Sequence, residues 1–194
     1  MARILSFDIG KINLAYCLIE VNDDPTIMPV VQEWGKIDLT LGKGGKTTMR
    51  ECISNLAKII NSMQFMWTYE IPTHVIIESQ GQHAVALQSI GVALLGMLDV
   101  LSRVQYNKEV TTACITPSTK FKKFGEPNYE AGDTKNKQYT KRKQRSVEMA
   151  TNFLMQWGDA NAAKLFADSK NDRDLADAMT NACAYIQIHI RKLT

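Results

Sequence analysis

The feature that most limits how this chain can fold is an apolar run closed by an acid, Ile4-Leu5-Ser6-Phe7-Asp8-Ile9-Gly10. An apolar run of this length, bounded by glycine, reads as a buried strand spanning residues 3–9. A buried strand has few places for a carboxylate, and its end is one of them. The pattern returns at Val75-Ile76-Ile77-Glu78, and Asp174-Leu175-Ala176-Asp177 adds two acids three residues apart. That spacing puts both on one helix face. Taken singly, each acid is better explained as structural; two strand ends and one helix face delivering four acids together carry the functional reading.

Residues 13–21 and 30–39 read as further strands after the turn at Gly10-Lys11-Ile12 and the break at Asp23-Asp24-Pro25, which suggests an antiparallel meander. Apolar spacing over 47–67 is helical. Residues 73–79 are a nearly continuous apolar run, as at the centre of a sheet. Residues 83–105 read as an apolar helix, 109–116 as a fifth strand stopped by Pro117, and two last helices fall at about 141–157 and 172–190. The order β-β-β-α-β-α-β-α-α predicts an α/β fold with a mixed five-stranded sheet flanked by helices. The whole chain, 1–194, is expected to be a single domain with a flexible basic loop over about 118–140. In the last helix, Ser169 and Asp172 fit a capping box that starts it near residue 170, and Asp172 itself reads as a cap. Met63, Met66 and Trp67 read as core and helix-end packing.

The net charge of +3 conceals an asymmetry. Between Lys120 and Arg145 there are nine positive and three negative residues, a local +6, which leaves −3 for the rest. A basic segment on an acidic body suits a phosphate-binding protein. The four cysteines, Cys17, Cys52, Cys114 and Cys183, form no C-x-x-C pair, so reduced thiols in an intracellular protein are expected. No run reaches about 18 uninterrupted apolar residues, and no charged start and apolar leader precede residue 3, so neither membrane spanning nor secretion is expected.

Four carboxylates suit Mg²⁺, with Mn²⁺ as a substitute, better than a dedicated zinc site. Their mutual repulsion is offset when two cations bind, and a pair of ions about 3.5–4 Å apart can activate water and stabilise the leaving oxygen of an in-line displacement at phosphorus. His74, His83 and His189 make no ligand spacing; only His83, close after Glu78, merits watching. Gly42-Lys43-Gly44-Gly45-Lys46-Thr47 lacks the leading glycine of a P-loop, since position 40 is Thr40. No small-molecule cofactor is expected.

The strand-end Asp, strand-end Glu and terminal-helix Asp-x-x-Asp on this element order resemble the ribonuclease H-like superfamily, and within it the RuvC-type Holliday junction resolvases. Ser6-Phe7-Asp8-Ile9-Gly10-Lys11-Ile12-Asn13-Leu14-Ala15 is similar to the first motif of the poxviral and fungal mitochondrial branch, Asp-x-Gly-x-x-Asn-x-Ala. Ile76-Ile77-Glu78-Ser79-Gln80 resembles the second, although Ser79 stands where relatives often carry arginine. Lys141-Arg142-Lys143-Gln144-Arg145-Ser146-Val147 resembles the basic helix start of that group, and Asp174-Leu175-Ala176-Asp177-Ala178 its final motif. The four motifs occur in the right order along nearly the whole chain.

The resemblance implies that Asp8, Glu78, Asp174 and Asp177 are catalytic metal ligands. It implies a homodimer that nicks opposed strands of a four-way DNA junction symmetrically, in recombination or the processing of replication intermediates. Lys141, Arg142, Lys143 and Arg145, with Lys120, Lys122 and Lys123, would hold backbone phosphates. The helix at 83–105 is the candidate dimer surface. A length of 194 with no import leader fits the viral members, which would act in the host cytoplasm where viral DNA is replicated. Two rivals stay open: a ribonuclease H-like nuclease for RNA or RNA–DNA hybrids, and a nucleic-acid-binding module without turnover. An actin-like kinase, suggested by Asp8-Ile9-Gly10, would need two such domains.

Overall fold

The computed structural model describes residues 1–63, 71–81, 83–170 and 172–191. Among these, the strands are β1 (Ala2–Asp8), β2 (Leu14–Val21), β3 (Val30–Ile37), β4 (His74–Glu78) and β5 (Thr111–Ile115). They form one sheet in the order β3-β2-β1-β4-β5. β1, β2 and β3 are the expected antiparallel meander, with a register shift between Leu18 and Ile19, while β4 and β5 run parallel to β1. Gly10 closes the β1–β2 turn: a Cβ there would meet the Asn13 carbonyl oxygen at 2.5 Å.

Side chains of a strand alternate between the two faces of its sheet, which divides the core. Leu5, Phe7, Val75 and Ile77 face α1 (Met49–Ser62) and α2 (Val85–Val100), meeting Cys52, Leu56, Ile90 and Leu94. Ile4, Cys17, Ile19 and Ile76 face the other way, onto α4 (Lys135–Trp157), α5 (Ala160–Asp168) and α6 (Arg173–Tyr185). Every residue from Leu175 to Tyr185 is buried. The alanines at 176, 178, 182 and 184 let α6 lie close on the sheet, and Trp34 fastens it through an Nε1–H bond to the Leu175 carbonyl at 2.9 Å.

The segment expected as a loop over 118–140 is largely helical. Pro117 opens α3 (Pro117–Phe124), where its fixed φ suits a first turn and its missing N–H costs nothing. α4 begins at Lys135, six residues before the expected start, with Thr134 accepting a bond from Lys137 N. Its first turns are solvated, so they carry no apolar stripe to betray a helix. Only 125–134 lacks regular structure. α5 was not expected at all, although Gly158 at φ 67° and Asp159, which caps Ala162 N, are its local signals. Asp172, and not Ser169, caps α6; the Ser169 hydroxyl instead accepts a bond from Asp172 N at 3.2 Å. Met66 and Trp67 lie outside the described residues.

By length and composition Val85–Gln105 is apolar enough to cross a membrane. Gln88, Ser89, Asp99, Ser102 and Arg103 interrupt it; Ile90, Leu94 and Leu98 are buried against the sheet, while Val85, Val92, Val100 and Val104 stay exposed. The cysteines are free; Cys17, Cys52 and Cys183 are buried, but Cys114 is exposed.

Candidate active site

Alternation along the strands decides where the acids point. Asp8 shares a face with Ile4 and Ser6, and Glu78 with His74 and Ile76, so both look toward α6. The parallel register pairs Ser6 with Ile76 and Phe7 with Ile77, and the next step along both strands brings Asp8 beside Glu78. Asp174 and Asp177, three residues apart at the start of α6, approach from above. Asn181, one turn further on, donates its Nδ2–H to Glu78 Oε2 at 3.1 Å. The four acids predicted from the sequence therefore meet in one place.

Two lysines stand among them. Lys120 on α3 is buried and pairs with Glu78 Oε2 at 3.2 Å and with Asp177 Oδ1. Lys143 on α4 pairs with Asp8 Oδ2 at 3.2 Å, Asp174 Oδ1 at 2.9 Å and Asp177 Oδ2 at 2.6 Å. The buried Ser146 hydroxyl donates to Asp177 Oδ1 at 2.6 Å. Sequence reasoning placed Lys120 and Lys143 on an open phosphate-binding surface and missed Ser146 and Asn181. Lys143 and Ser146 are three apart on α4, so one helix face carries both; that spacing is the local signal, but nothing local shows that α4 lies across the strand ends.

The electrostatics push the two most buried acids apart. Burial raises the Asp8 carboxyl to about 7, against the pull of Lys143, with Glu78 and Asp177 adding to the rise. Asp177 suffers the same burial, but Lys120 and Lys143 outweigh it and hold its carboxyl below the ordinary range. Burial works against the charge on Lys143, yet the Asp177 and Asp8 carboxylates prevail and raise its pKa. Lys120 is held charged in the same way by Asp177 and Glu78. An unpaired buried carboxylate costs several kcal/mol, so the lysines are what lets these acids sit together.

The remaining basic residues divide. Lys141 is tied to Asp133 at 2.7 Å and Glu130 at 3.3 Å, and Arg145 to Glu148 and to the Phe124 and Gly125 carbonyls. Arg142, Lys122 and Lys123 are exposed, and Arg142 lines the cleft that reaches Glu78, Lys120 and Asp177. A second cleft, lined by Gly10 to Asn13, reaches Asp8 and Asp174, and Tyr139 and Lys143 wall both. His74 and His189 flank the Tyr185 ring, with centroids 5.4 and 4.6 Å away, and His83 is exposed.

The donor set suits a hard divalent cation: four carboxylates and the buried Asn181 Oδ1, which has no hydrogen-bond partner among the described residues. Among those residues no group of three acidic, histidine or cysteine side chains is spaced to hold a metal ion as it stands. The two ammoniums occupy the space between the carboxylates.

The fold has counterparts in solved structures. The yeast mitochondrial Holliday junction resolvase Ydc2 matches with a TM-score of 0.65 and 14% identity, over 96% of this chain and 79% of its own. Thermus thermophilus RuvC in complex with a Holliday junction substrate gives 0.61 and 12%, over 100% and 98%. Fowlpox virus resolvase with substrate Holliday junction DNA gives 0.57 and 17%, over 97% and 99%. At these identities the likeness establishes a common RuvC-like fold, the mixed sheet with flanking helices that the motif order predicted. No curated protein sequence matches the chain. The sequence profile that does match is that of the poxvirus A22 protein, over residues 2–191, and a match of that extent makes this chain a member of the poxvirus A22 protein family.

Proposed function

We propose that this protein is a divalent-metal-dependent endonuclease that resolves four-way DNA junctions by paired symmetric nicks during recombination or the processing of replication intermediates. The observation that carries this reading is the meeting of Asp8, Glu78, Asp174 and Asp177 at the strand ends, on a fold shared with solved junction resolvases. Those four acids would hold Mg²⁺, with Mn²⁺ as a substitute, and two ions per site match the number of carboxylates. The chemistry that the bound cations supply is an activated water and neutralisation of the leaving oxygen. The chain's own residues place and shield that chemistry. β1 and β4 fix two acids rigidly, α6 sets two more one turn apart, and Ser146 and Asn181 orient Asp177 and Glu78.

For DNA, the exposed cations Arg142, Lys122 and Lys123 support phosphate contacts, Arg142 from the wall of the cleft, while Lys141 and Arg145 are paired with Glu130, Asp133 and Glu148. A homodimer is supported by α2, whose outer face exposes Val85, Val92 and Val100 and is continued by Val104. With twofold symmetry, two sites can address two opposed strands. Membership of a poxviral family supports action inside the infected cell, at sites of viral DNA replication.

The reading is tested with Asp174→Asn and wild type on one synthetic junction. The variant keeps the size of the side chain and removes one charge. It should lose cleavage by at least about a hundredfold while still shifting the junction on a gel. Normal cleavage would remove Asp174 from the catalytic set. Cleavage by wild type of an RNA–DNA hybrid alone would favour the ribonuclease alternative.

A further inference from the structure

The two lysines in the acid cluster are not equivalent. The Lys120 side chain is 2% exposed and is enclosed between Glu78 and Asp177. That of Lys143 is 14% exposed, bridges Asp8, Asp174 and Asp177, and borders both clefts. One turn earlier on α4 stands Tyr139, itself exposed, with its ring centroid 5.9 Å from Lys143 Nζ. Lys143 Nζ already lies over that ring while it is paired with the carboxylates, so rotation about the lysine's own side-chain bonds can move the ammonium outward along the ring, where a cation is still favoured. Lys120 is the more enclosed of the two, with its ammonium over the buried Phe121 ring at 5.4 Å.

We propose that Lys143 is the exchangeable counter-ion of the carboxylate cluster: it holds Asp8, Asp174 and Asp177 together in the metal-free chain and leaves by way of Tyr139 when a divalent cation loads. This rests on the assignment of those acids as metal ligands in the nuclease reading above. The physical ground is competition. An ammonium and a divalent cation require the same carboxylate oxygens, and their like charges exclude joint occupancy at hydrogen-bonding distance. Apparent metal affinity is then the intrinsic affinity multiplied by the fraction of time that Lys143 is away. The released ammonium finishes at the cleft mouth, on the route that a backbone phosphate takes to the acids. Metal loading and the presentation of a basic group to the substrate become one event.

The test needs no DNA. Mn²⁺ binding to the intact protein is followed by electron paramagnetic resonance and by calorimetry for wild type, Lys143→Gln and Lys143→Met, with melting temperatures in chelator and in excess Mn²⁺. Both variants should bind Mn²⁺ about tenfold more tightly or better, as expected for removal of a competitor that is home most of the time. They should melt below wild type in chelator, where the carboxylates have lost their counter-ion, and recover in Mn²⁺. A packing role for the lysine would lower melting equally in both conditions and leave affinity unchanged or weaker; either result overturns the proposal. Absence of Mn²⁺ binding by wild type and by both variants would also overturn it. Tighter binding by the variants from a wild type that cuts no junction would keep the counter-ion role and sink the nuclease reading.

Discussion

The Asp172 carboxylate accepts bonds from Asp174 N and Leu175 N at 3.0 and 3.1 Å and pairs with Lys36 Nζ at 2.5 Å. It is held at once by the start of α6 and by β3. Asp174, two residues on, faces Lys143 instead. The two tasks separate by substitution. Asp172→Ala should cost about 1 kcal/mol as a lost cap. Asp172→Asn keeps an acceptor for the cap and loses only the pair with Lys36, which at this exposure is worth under about 1 kcal/mol. Burial works against the Asp172 carboxylate, but the Lys36 hydrogen bond and the backbone N–H groups win and lower its pKa below the ordinary 3.8. A carboxylate lowered in the fold contributes stability above its unfolded pKa and loses it as the pH falls through the folded value. Urea unfolding should therefore show wild type ahead of Asp172→Asn near neutrality and the gap closing in acid. A gap that widened on acidification would contradict the assignment.

Among the elements, legibility follows periodicity. β1, β2, β4 and α6 were readable because burial imposes a period of two or of 3.6 on their apolar residues, and the acids Asp8, Glu78, Asp174 and Asp177 mark where those elements end or begin. α3 and the start of α4 were read as loop because their exposed lysines mask a few buried positions, Lys120 and Phe121 among them. Lys120 illustrates the limit best. A lysine in a lysine-rich segment looks solvated, and only the docking of α3 against α6 turns it into the partner of Asp177. With Lys141 and Arg145 paired to Glu130, Asp133 and Glu148, the proposed phosphate contacts rest on the exposed Arg142, Lys122 and Lys123. Arg142→Glu should weaken junction binding at low salt and reduce the slope of log affinity against log salt by about 1 or more. An unchanged slope would take Arg142 off the DNA surface.

At the scale of the molecule, the sheet buries one face under α1 and α2 and the other under α4 to α6, with the acids at the end of the second interface. The outer face of α2 and its continuation is left open, with Val92 73% and Val104 80% exposed. In the proposed dimer this exposed apolar face is the surface between the two copies. Val92→Glu with Val104→Glu should leave the fold intact by circular dichroism and convert a dimer to a monomer in sedimentation. A wild type already monomeric at micromolar concentration would rule out two paired sites on a preformed dimer.

A carboxylate cluster that cuts branched DNA in pairs leaves a distinctive pattern of nicks. The direct measurement is cleavage of a four-way DNA junction, end-labelled on each strand in turn, with Mg²⁺, beside linear duplex, flap DNA and an RNA–DNA hybrid. Nicks are expected at symmetric positions on two opposed strands of the junction, with little cutting of the other substrates. Tight junction binding without any cutting, or cutting confined to the hybrid, would contradict this expectation.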